Sequence, residues 1–259
     1  MQYFVVDAFA DRLFSGNSAG VCLLDSWPDD AVMQSIAMEN NLSETAFLVR
    51  ESSGAYGLRW FAPETEIDLC GHATLASAYV LMNEVHAVSG TVEFHTKSGT
   101  LTVSQSDDVF TMDFPSRPPV PCEVPPGLEQ ALGTPVLETH ASRDLLVLLE
   151  SEDAIRSLRP DFSQLKQHKD AFAIIVTARG TDCDFVSRFF APGAGIPEDP
   201  VTGSSHSTLI PFWHARLGRN QMIARQLSAR GGTLMCEYCG DRVKIGGTAV
   251  CYLRGVINL

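Results

Sequence analysis

The sequence lacks any long apolar run. Its longest uninterrupted stretch covers residues 171–176, far short of the roughly 20 apolar residues that cross a bilayer. Positive charge is also scarce, with 19 Lys and Arg against 31 Asp and Glu and a formal net charge of −12. No basic stripe offsets this imbalance, and the first residues predict a strand, not a secretion signal. We therefore expect a soluble, cytoplasmic protein with no membrane or nucleic-acid partner.

The seven cysteines are scattered and odd in number, which favours reduced thiols over a disulfide framework. Only Cys236 and Cys239 are closely spaced. A single Cys-x-x-Cys pair supplies too few ligands for a structural zinc site. We therefore expect no bound metal.

An internal repeat is present, and it changes the expected fold. Four segments recur in the same order at spacings of 125 to 133 residues; they are 46–49 with 171–174, 59–63 with 188–192, 71–74 with 203–206, and 97–101 with 230–234. Self-similarity of this kind indicates duplicated units. Two copies in 259 residues predict two similar halves instead of a solenoid.

Each copy predicts one buried helix. Residues 71–83 are apolar nearly all round, and a helix without a polar face belongs inside a sheet. The corresponding helix over residues 205–217 contains Pro211, which we expect to kink it. A further helix begins at Asp30 and ends near Asn41. Six prolines within residues 115–126 predict a linker between the halves.

Two corresponding loops, residues 64–72 and 193–205, lead into the central helices. The first N–H groups of a helix lack intrahelical partners, so two facing helix starts form an anion site without Arg or Lys. If the halves face each other, a small carboxylate fits there. The polar side chains on these loops are Asp68, Cys70, His72, Glu198, Asp199, Ser204, Ser205 and His206. Glu44, just before a predicted strand, adds a candidate acid/base group.

Four motifs resemble the PhzF family, which is named for phenazine biosynthesis. They are Gly-Asn-Ser-Ala at residues 16–19, Asn-Leu-Ser-Glu-Thr at 41–45, Cys-Gly-His-Ala-Thr at 70–74 and Glu-Asp-Pro-Val-Thr-Gly-Ser at 198–204. The resemblance implies a diaminopimelate epimerase-like α/β (α+β) fold with two pseudo-symmetric halves. Each half is a highly curved, mostly antiparallel sheet wrapped around a central helix. We predict residues 1–116 with 250–259 as the N-terminal half, 117–249 as the C-terminal half, and the active-site cleft between them.

The resemblance also implies a function. Glu44 matches the proton-shuttling glutamate of a cofactor-independent isomerase, as in dihydro-hydroxyanthranilate isomerisation. Because members of the family commonly associate as homodimers, the resemblance also implies a homodimer. The substrate is expected to be a small carboxylate. The residues that match substrate-binding positions are Asn17, Ser43, Gly71, His72, Asp199, Gly203 and Ser204. Asp68 and Cys70 are possible accessory residues, and no metal or organic cofactor is required.

Two alternatives stay open. Two-base epimerases on this fold resemble one another in carrying a thiol on each loop, and Cys70 occupies the first of these positions. The second is Thr202, a poor carbon base, so an amino-acid racemase or epimerase would depend on Cys70 with Glu44 or His72. The other alternative is a non-catalytic small-molecule-binding protein, although such a protein has no need of an acid/base set.

Overall fold

The computed structural model describes all 259 residues. The strands are β1 Gln2–Ala8, β2 Asn17–Leu24, β3 Glu44–Arg50, β4 Tyr56–Phe61, β5 Glu66–Ile67, β6 Thr91–Thr96, β7 Gly99–Ser106, β8 Val109–Pro115, β9 Val120–Cys122, β10 Glu138–Ala141, β11 Leu145–Leu148, β12 Ile174–Arg179, β13 Phe185–Ala191, β14 Ile196–Asp199, β15 Gln221–Gln226, β16 Gly232–Cys239, β17 Arg242–Gly247 and β18 Ala249–Val256. The helices are α1 Asp30–Asn40, α2 Gly71–Tyr79, α3 Leu128–Leu132, α4 Glu152–Ser157, α5 Phe162–Leu165 and α6 His206–Leu217. None of the helices combines the length and the apolar character that a membrane-spanning helix requires.

The chain divides into two compact units. The N-terminal unit comprises Met1–Asp113 with Gly246–Leu259, and the C-terminal unit comprises Phe114–Ile245. In the N-terminal unit, β18 pairs with β1, and the sheet continues through β2, β3, β4, β6 and β7. The C-terminal unit contains a sheet that runs β9, β10, β11, β12, β13, β15 and β16. The cleft expected between the halves stays a prediction.

The two sheets repeat one pattern of pairing. From β1 to β7 the successive pairs are antiparallel, parallel, antiparallel, parallel and antiparallel. From β10 to β16 the five successive strand pairs are antiparallel and parallel in the same order. In both units a short strand, β5 or β14, pairs with the fourth strand of this series. The duplication expected from the sequence repeat is therefore confirmed, as is the mixed α/β, mostly antiparallel architecture.

Each unit contains a helix that is buried along nearly its whole length. All residues from His72 to Ala78 of α2 are buried, and α2 packs against β1, β2, β3, β7 and β18. Its buried hydroxyls donate back to the helix, with Thr74 Oγ1 2.5 Å from the carbonyl of Cys70. Helix α6 is buried from His206 to Trp213 and continues through Pro211. The prediction of a helix without a polar face in each copy is confirmed.

Three local predictions meet different outcomes. Helix α1 ends as predicted, because Asn41 adopts a left-handed conformation and its N–H donates to the carbonyl of Ala37. The predicted helix over 71–83 is α-helical to Tyr79 and then continues as a π-helical turn, Val80–Glu84. The proline-rich segment 115–126, predicted as the linker between the halves, contains β9, which pairs with β10. Proline is tolerated there because β9 is short and exposed.

Each unit also contains the same arginine–glutamate pair. Nε and Nη2 of Arg59 donate to the two carboxylate oxygens of Glu66 at 2.7 and 2.8 Å. Nε and Nη2 of Arg188 donate to Glu198 in the same way, at 2.7 and 2.9 Å. Each guanidinium also lies over the phenylalanine two residues further along, at 5.2 and 5.1 Å. Glu198, a candidate titratable group from the sequence, thus anchors β14 to β13.

Candidate functional site

Several of the predicted site residues in the N-terminal unit come together where two parallel strands and the central helix begin. Asn17 is the first residue of β2 and Glu44 the first of β3, and these strands pair in parallel with Ala19 opposite Glu44. His72 is the second residue of α2, directly over the strand starts because α2 packs on β2 and β3. Parallel pairing and helix packing therefore bring together motifs that are distant in the sequence.

Glu44 and His72 form the centre of this cluster. Glu44 Oε2 lies 3.0 Å from His72 Nε2, and both side chains are about nine-tenths or more buried. The two atoms are at ion-pair distance without hydrogen-bond alignment, and neither has a hydrogen-bond partner elsewhere. Buried polar atoms almost always have such partners. This pair therefore keeps hydrogen-bonding capacity for a bound molecule.

The other ring nitrogen of His72 faces Asn17 and Cys70. Nδ1 lies 3.2 Å from Asn17 Nδ2 and 3.5 Å from Cys70 Sγ. If the Asn17 amide donates to a neutral ring, the ring proton resides on Nε2; a charged ring carries a proton there as well. In both states Nε2, the ring atom that lies 3.0 Å from Glu44 Oε2, carries a proton. Ser43 Oγ donates to Asn17 Oδ1 at 3.4 Å and thereby supports the amide.

Burial and charge shift the pKa values of two of these groups. Burial alone acts to lower the pKa of His72, but Cys70 and the Glu44 carboxylate raise it well above its ordinary value. Burial, reinforced by the charge of Glu44, raises the pKa of the Cys70 thiol to about 11. At neutral pH the thiol is therefore mostly protonated, and the Glu44 carboxylate is the neighbour that favours the charged form of the imidazole. Such a thiol is a weak carbon base, because only the thiolate is strongly basic.

Glu44, Cys70 and His72 also offer ligand atoms that all lie within 4.8 Å of one another. Carboxylate, thiolate and imidazole are ligands that zinc accepts. Their orientation is unlike that of a chelate, however, because Glu44 faces Nε2 and Cys70 faces Nδ1 of the same ring. A metal binds only one of these nitrogens. The geometry fits a chain of polar contacts through His72 better than a metal centre.

In the C-terminal unit, the loop after β14 is held by one fully buried glutamine. Gln226 Nε2 donates to the carbonyl of Asp199 at 2.7 Å, and Gln226 Oε1 accepts from the N–H of Thr202 at 2.9 Å. Thr202 Oγ1 donates to Asp199 Oδ2 and lies 3.2 Å from Gln226 Nε2. The Asp199 carboxylate is therefore oriented by Thr202, and both are fixed by Gln226.

An arginine contacts the start of the central helix in this unit. Arg143 Nη2 donates to Ser204 Oγ at 3.3 Å, and the guanidinium also forms a bidentate pair with the buried Asp144. The sequence predicts an anion site without Arg or Lys, whereas the structure places Arg143 next to the predicted binding residue Ser204. Asp144 occupies the Nε and Nη2 fork and balances part of the charge, so Nη1 is the donor that remains for an anion.

The remaining candidates occupy different environments. Gly71 begins α2, and Gly203 lies buried in the loop before α6. The side chain of Asp68 is exposed, and its carbonyl accepts a hydrogen bond from Ser98. His206, whose orientation the sequence left open, is fully buried, with Nδ1 2.9 Å from the carbonyl of Thr202. Burial lowers the pKa of His206 to about 4.

Gln226, Arg143 and Arg188 were missed as site residues. Only Arg188 had a sequence signal, since it repeats Arg59 and is followed by an acidic residue at a similar distance. Gln226 and Arg143 are isolated polar residues outside every motif.

Comparison with known proteins gives a consistent result. The model of the phenazine biosynthesis-like (PhzC-PhzF) family matches residues 6–255. The chain is 49% identical over 259 residues to an uncharacterized isomerase of Pseudomonas aeruginosa, covering all of this chain and 99% of that protein. The crystal structure of a PhzF-family protein from Enterococcus faecalis superposes with a TM-score of 0.98 at 48% identity, covering 100% and 99% of the two chains. A predicted epimerase of Pseudomonas aeruginosa shares the fold, with a TM-score of 0.74 at 21% identity over 99% and 98% of the chains.

Proposed function

The chain belongs to the phenazine biosynthesis-like (PhzC-PhzF) family and is an isomerase, and we propose that it moves a proton within a small carboxylate-bearing molecule with Glu44 as the acid/base group. The observation that carries this proposal is the buried contact of 3.0 Å between Glu44 and His72 at the start of α2. Such an isomerisation breaks one C–H bond and forms another, so a single carboxyl group that accepts the proton and returns it suffices. The proposal requires no cofactor or metal.

His72 has a supporting role in this proposal. A charged imidazole beside Glu44 stabilises the carboxylate that must accept the proton through an ion-pair contact of 3.0 Å. The start of α2 adds the positive end of the helix dipole. Because Glu44 and His72 are both buried, these interactions act where water screens them little.

The C-terminal unit also contains residues that we propose for substrate binding. Support in the C-terminal unit comes from Ser204, whose hydroxyl accepts from Arg143, and from Asp199, which Thr202 orients. A hydroxyl next to a guanidinium and a helix start suits a carboxylate, whereas Asp199 suits an amine or hydroxyl of the substrate. The full proposed set of substrate-binding residues is Asn17, Ser43, Gly71, His72, Asp199, Gly203 and Ser204.

Racemisation of an amino acid through Cys70 is the second candidate. The contact of 3.5 Å between Cys70 Sγ and His72 Nδ1 favours it, because an adjacent imidazole is a common activator of a thiol. Two observations weigh against it. The pKa of Cys70 is raised to about 11, and Thr202 donates its hydroxyl to Asp199 instead of providing a second base.

Exchange of carbon-bound protons in D₂O, followed by NMR, distinguishes the candidates. The compounds are dihydro-hydroxyanthranilate and a panel of L- and D-amino acids, and the proteins are wild type, Glu44→Gln and Cys70→Ala. The proposal expects deuterium in the ring compound with wild type and Cys70→Ala but not with Glu44→Gln. Exchange at an amino-acid α-carbon that Cys70→Ala abolishes and Glu44→Gln spares would establish the racemase. Saturable binding without any exchange would favour a non-catalytic binding protein.

We also propose a homodimer that functions in the cytoplasm. Strand β18 of the N-terminal unit exposes Tyr252, Leu253 and Val256, and the ring of Phe14 packs edge-on against Tyr252 at 5.8 Å. A patch of exposed large apolar side chains marks an interaction surface, and a second copy of the chain is the proposed occupant. All seven cysteines are free thiols, which suits a reducing compartment.

A further inference from the structure

A cavity of about 440 Å³ opens in the C-terminal unit, apart from the residues proposed to act on the substrate. It lies between the segment that follows α5 and the 3₁₀ turn Pro192–Ala194. Three buried apolar side chains, Leu165, Ile174 and Phe190, contribute to its lining. The volume falls within the range of small-molecule sites, which are apolar clefts with a few polar groups.

The cavity also has a basic rim. Lys166, His168 and Lys169 line it, and the chain has only four lysines in total. Neither Lys166 nor Lys169 forms an ion pair or a side-chain hydrogen bond. The other two lysines are each paired with a glutamate. In a chain of net charge −12, two unpaired ammonium groups beside one apolar cavity make that cavity selective for an anion.

Phe172 adds an aromatic surface. Its side chain lines the cavity and is 54% exposed, so the ring is accessible to a ligand. The Arg143 guanidinium lies 5.1 Å from the ring centroid, so the ring is held in place by a cation–π contact. A ring fixed in this way suits stacking against a flat ligand.

We propose that this cavity binds a small aromatic carboxylate, whose ring contacts Leu165, Ile174 and Phe172 and whose charge lies between Lys166 and Lys169. The proposal rests on charge complementarity and on the cavity lining. It does not depend on the chemistry proposed for Glu44, and the residues that line the cavity differ from those proposed to bind the substrate. Arg143 connects the two regions, because it contacts both Phe172 and Ser204.

Binding of 2-naphthoate to the full-length protein tests the proposal. Calorimetric titration gives the affinity, and the Ile174 methyl resonance, in protein with labelled isoleucine methyl groups, reports the location. The test variant is Lys166→Gln/Lys169→Gln. Its matched control is Lys97→Gln/Lys244→Gln, which removes the other two lysines and changes the net charge by the same amount. 2-Naphthylmethanol, which has the same rings and no charge, controls for purely apolar binding.

We expect 2-naphthoate to shift the Ile174 methyl resonance in wild type and in the control variant. We expect the affinity to fall about tenfold in Lys166→Gln/Lys169→Gln, since each partly screened ion pair contributes a few-fold. Three results would overturn the proposal. They are equal affinities in the two double variants, equal binding of 2-naphthylmethanol, and binding that leaves Ile174 unshifted. A Phe172→Ser variant that turns a dimer into a monomer would instead assign the cavity to a second copy of the chain.

Discussion

Replacing Arg188 by methionine tests whether the buried arginine–glutamate pair holds the C-terminal loop. The Arg188 side chain is only 9% exposed, and its guanidinium donates to Glu198 and to the carbonyls of Ile155 and Leu158. Methionine has a similar length and fills the same space without any donor. The variant therefore leaves the Glu198 carboxylate and the Ile155 carbonyl without the Arg188 donor, whereas the carbonyl of Leu158 keeps Arg159 Nη1 at 2.8 Å. It also loosens β14, which ends at Asp199.

The expected magnitude follows from the burial of this pair. Removing one partner of a buried ion pair costs about 3–5 kcal/mol in free energy of unfolding. The Glu198 side chain is 21% exposed, so water recovers part of the loss and we expect about 3 kcal/mol. For a chain of this size that corresponds to a decrease in Tm of roughly 6–12 °C. Urea unfolding followed by circular dichroism, together with scanning calorimetry, measures both quantities.

The repeated pair in the other unit provides the control. Arg59→Met removes the same contact, but Glu66 keeps Lys97 Nζ at 2.5 Å, so its carboxylate is not left alone and we expect a loss of about 1 kcal/mol. The double variant Arg188→Met/Glu198→Gln should recover part of the Arg188→Met loss, because no unpaired charge is left buried. Equal losses for Arg188→Met and Arg59→Met, or a loss below about 1 kcal/mol for the former, would refute the reasoning.

Three further predictions concern buried polar groups and the exposed strand. Burial lowers the pKa of His206 to about 4, so the folded protein keeps this side chain neutral where the unfolded chain protonates it. The free energy of unfolding therefore falls by up to about 3 kcal/mol as the pH drops from 6.5 to 4. Urea titrations at several pH values should show a smaller decrease over this range for His206→Asn, and a decrease equal to that of wild type would contradict this. Gln226→Leu should lower the free energy of unfolding by about 2 kcal/mol and reduce activity, because Asp199 loses its contact with Gln226. Full activity would show that the hydrogen bonds of Gln226 are not needed to position Asp199. Tyr252→Glu/Val256→Glu should halve the mass measured by light scattering, and an unchanged mass would place the dimer contact elsewhere.

The sequence predicted those features that depend on local patterns. The all-apolar stretch after Gly71 predicted a buried helix, and α2 is buried as expected. The recurrence of four short segments in the same order predicted the duplication, which the alternating strand pairings confirm. The first signal lies within a few neighbouring residues, where periodicity determines which side chains face the core. The second comes from the similarity of short segments to one another.

Long-range polar contacts could not be predicted in this way. Gln226 clamps a loop whose contacted residues lie 24 and 27 positions earlier, and Arg143 contacts Ser204 from 61 positions away. Neither residue belongs to a repeating pattern, so nothing local distinguishes it from a solvated side chain. The same limit applies to β9, since its pairing with β10 overrides the low strand propensity of proline.

The most direct test of the central proposal is the rate of proton exchange in D₂O with Glu44→Gln and with the matched variant Glu237→Gln. Glu237 is a partly exposed glutamate that pairs with Lys244, so its replacement controls for the loss of one carboxylate. The proposal predicts that Glu44→Gln binds the substrate and lowers the exchange rate by about 10²–10⁴-fold, whereas Glu237→Gln matches wild type. Exchange at the wild-type rate in a folded Glu44→Gln protein would contradict the assignment of Glu44 as the acid/base group.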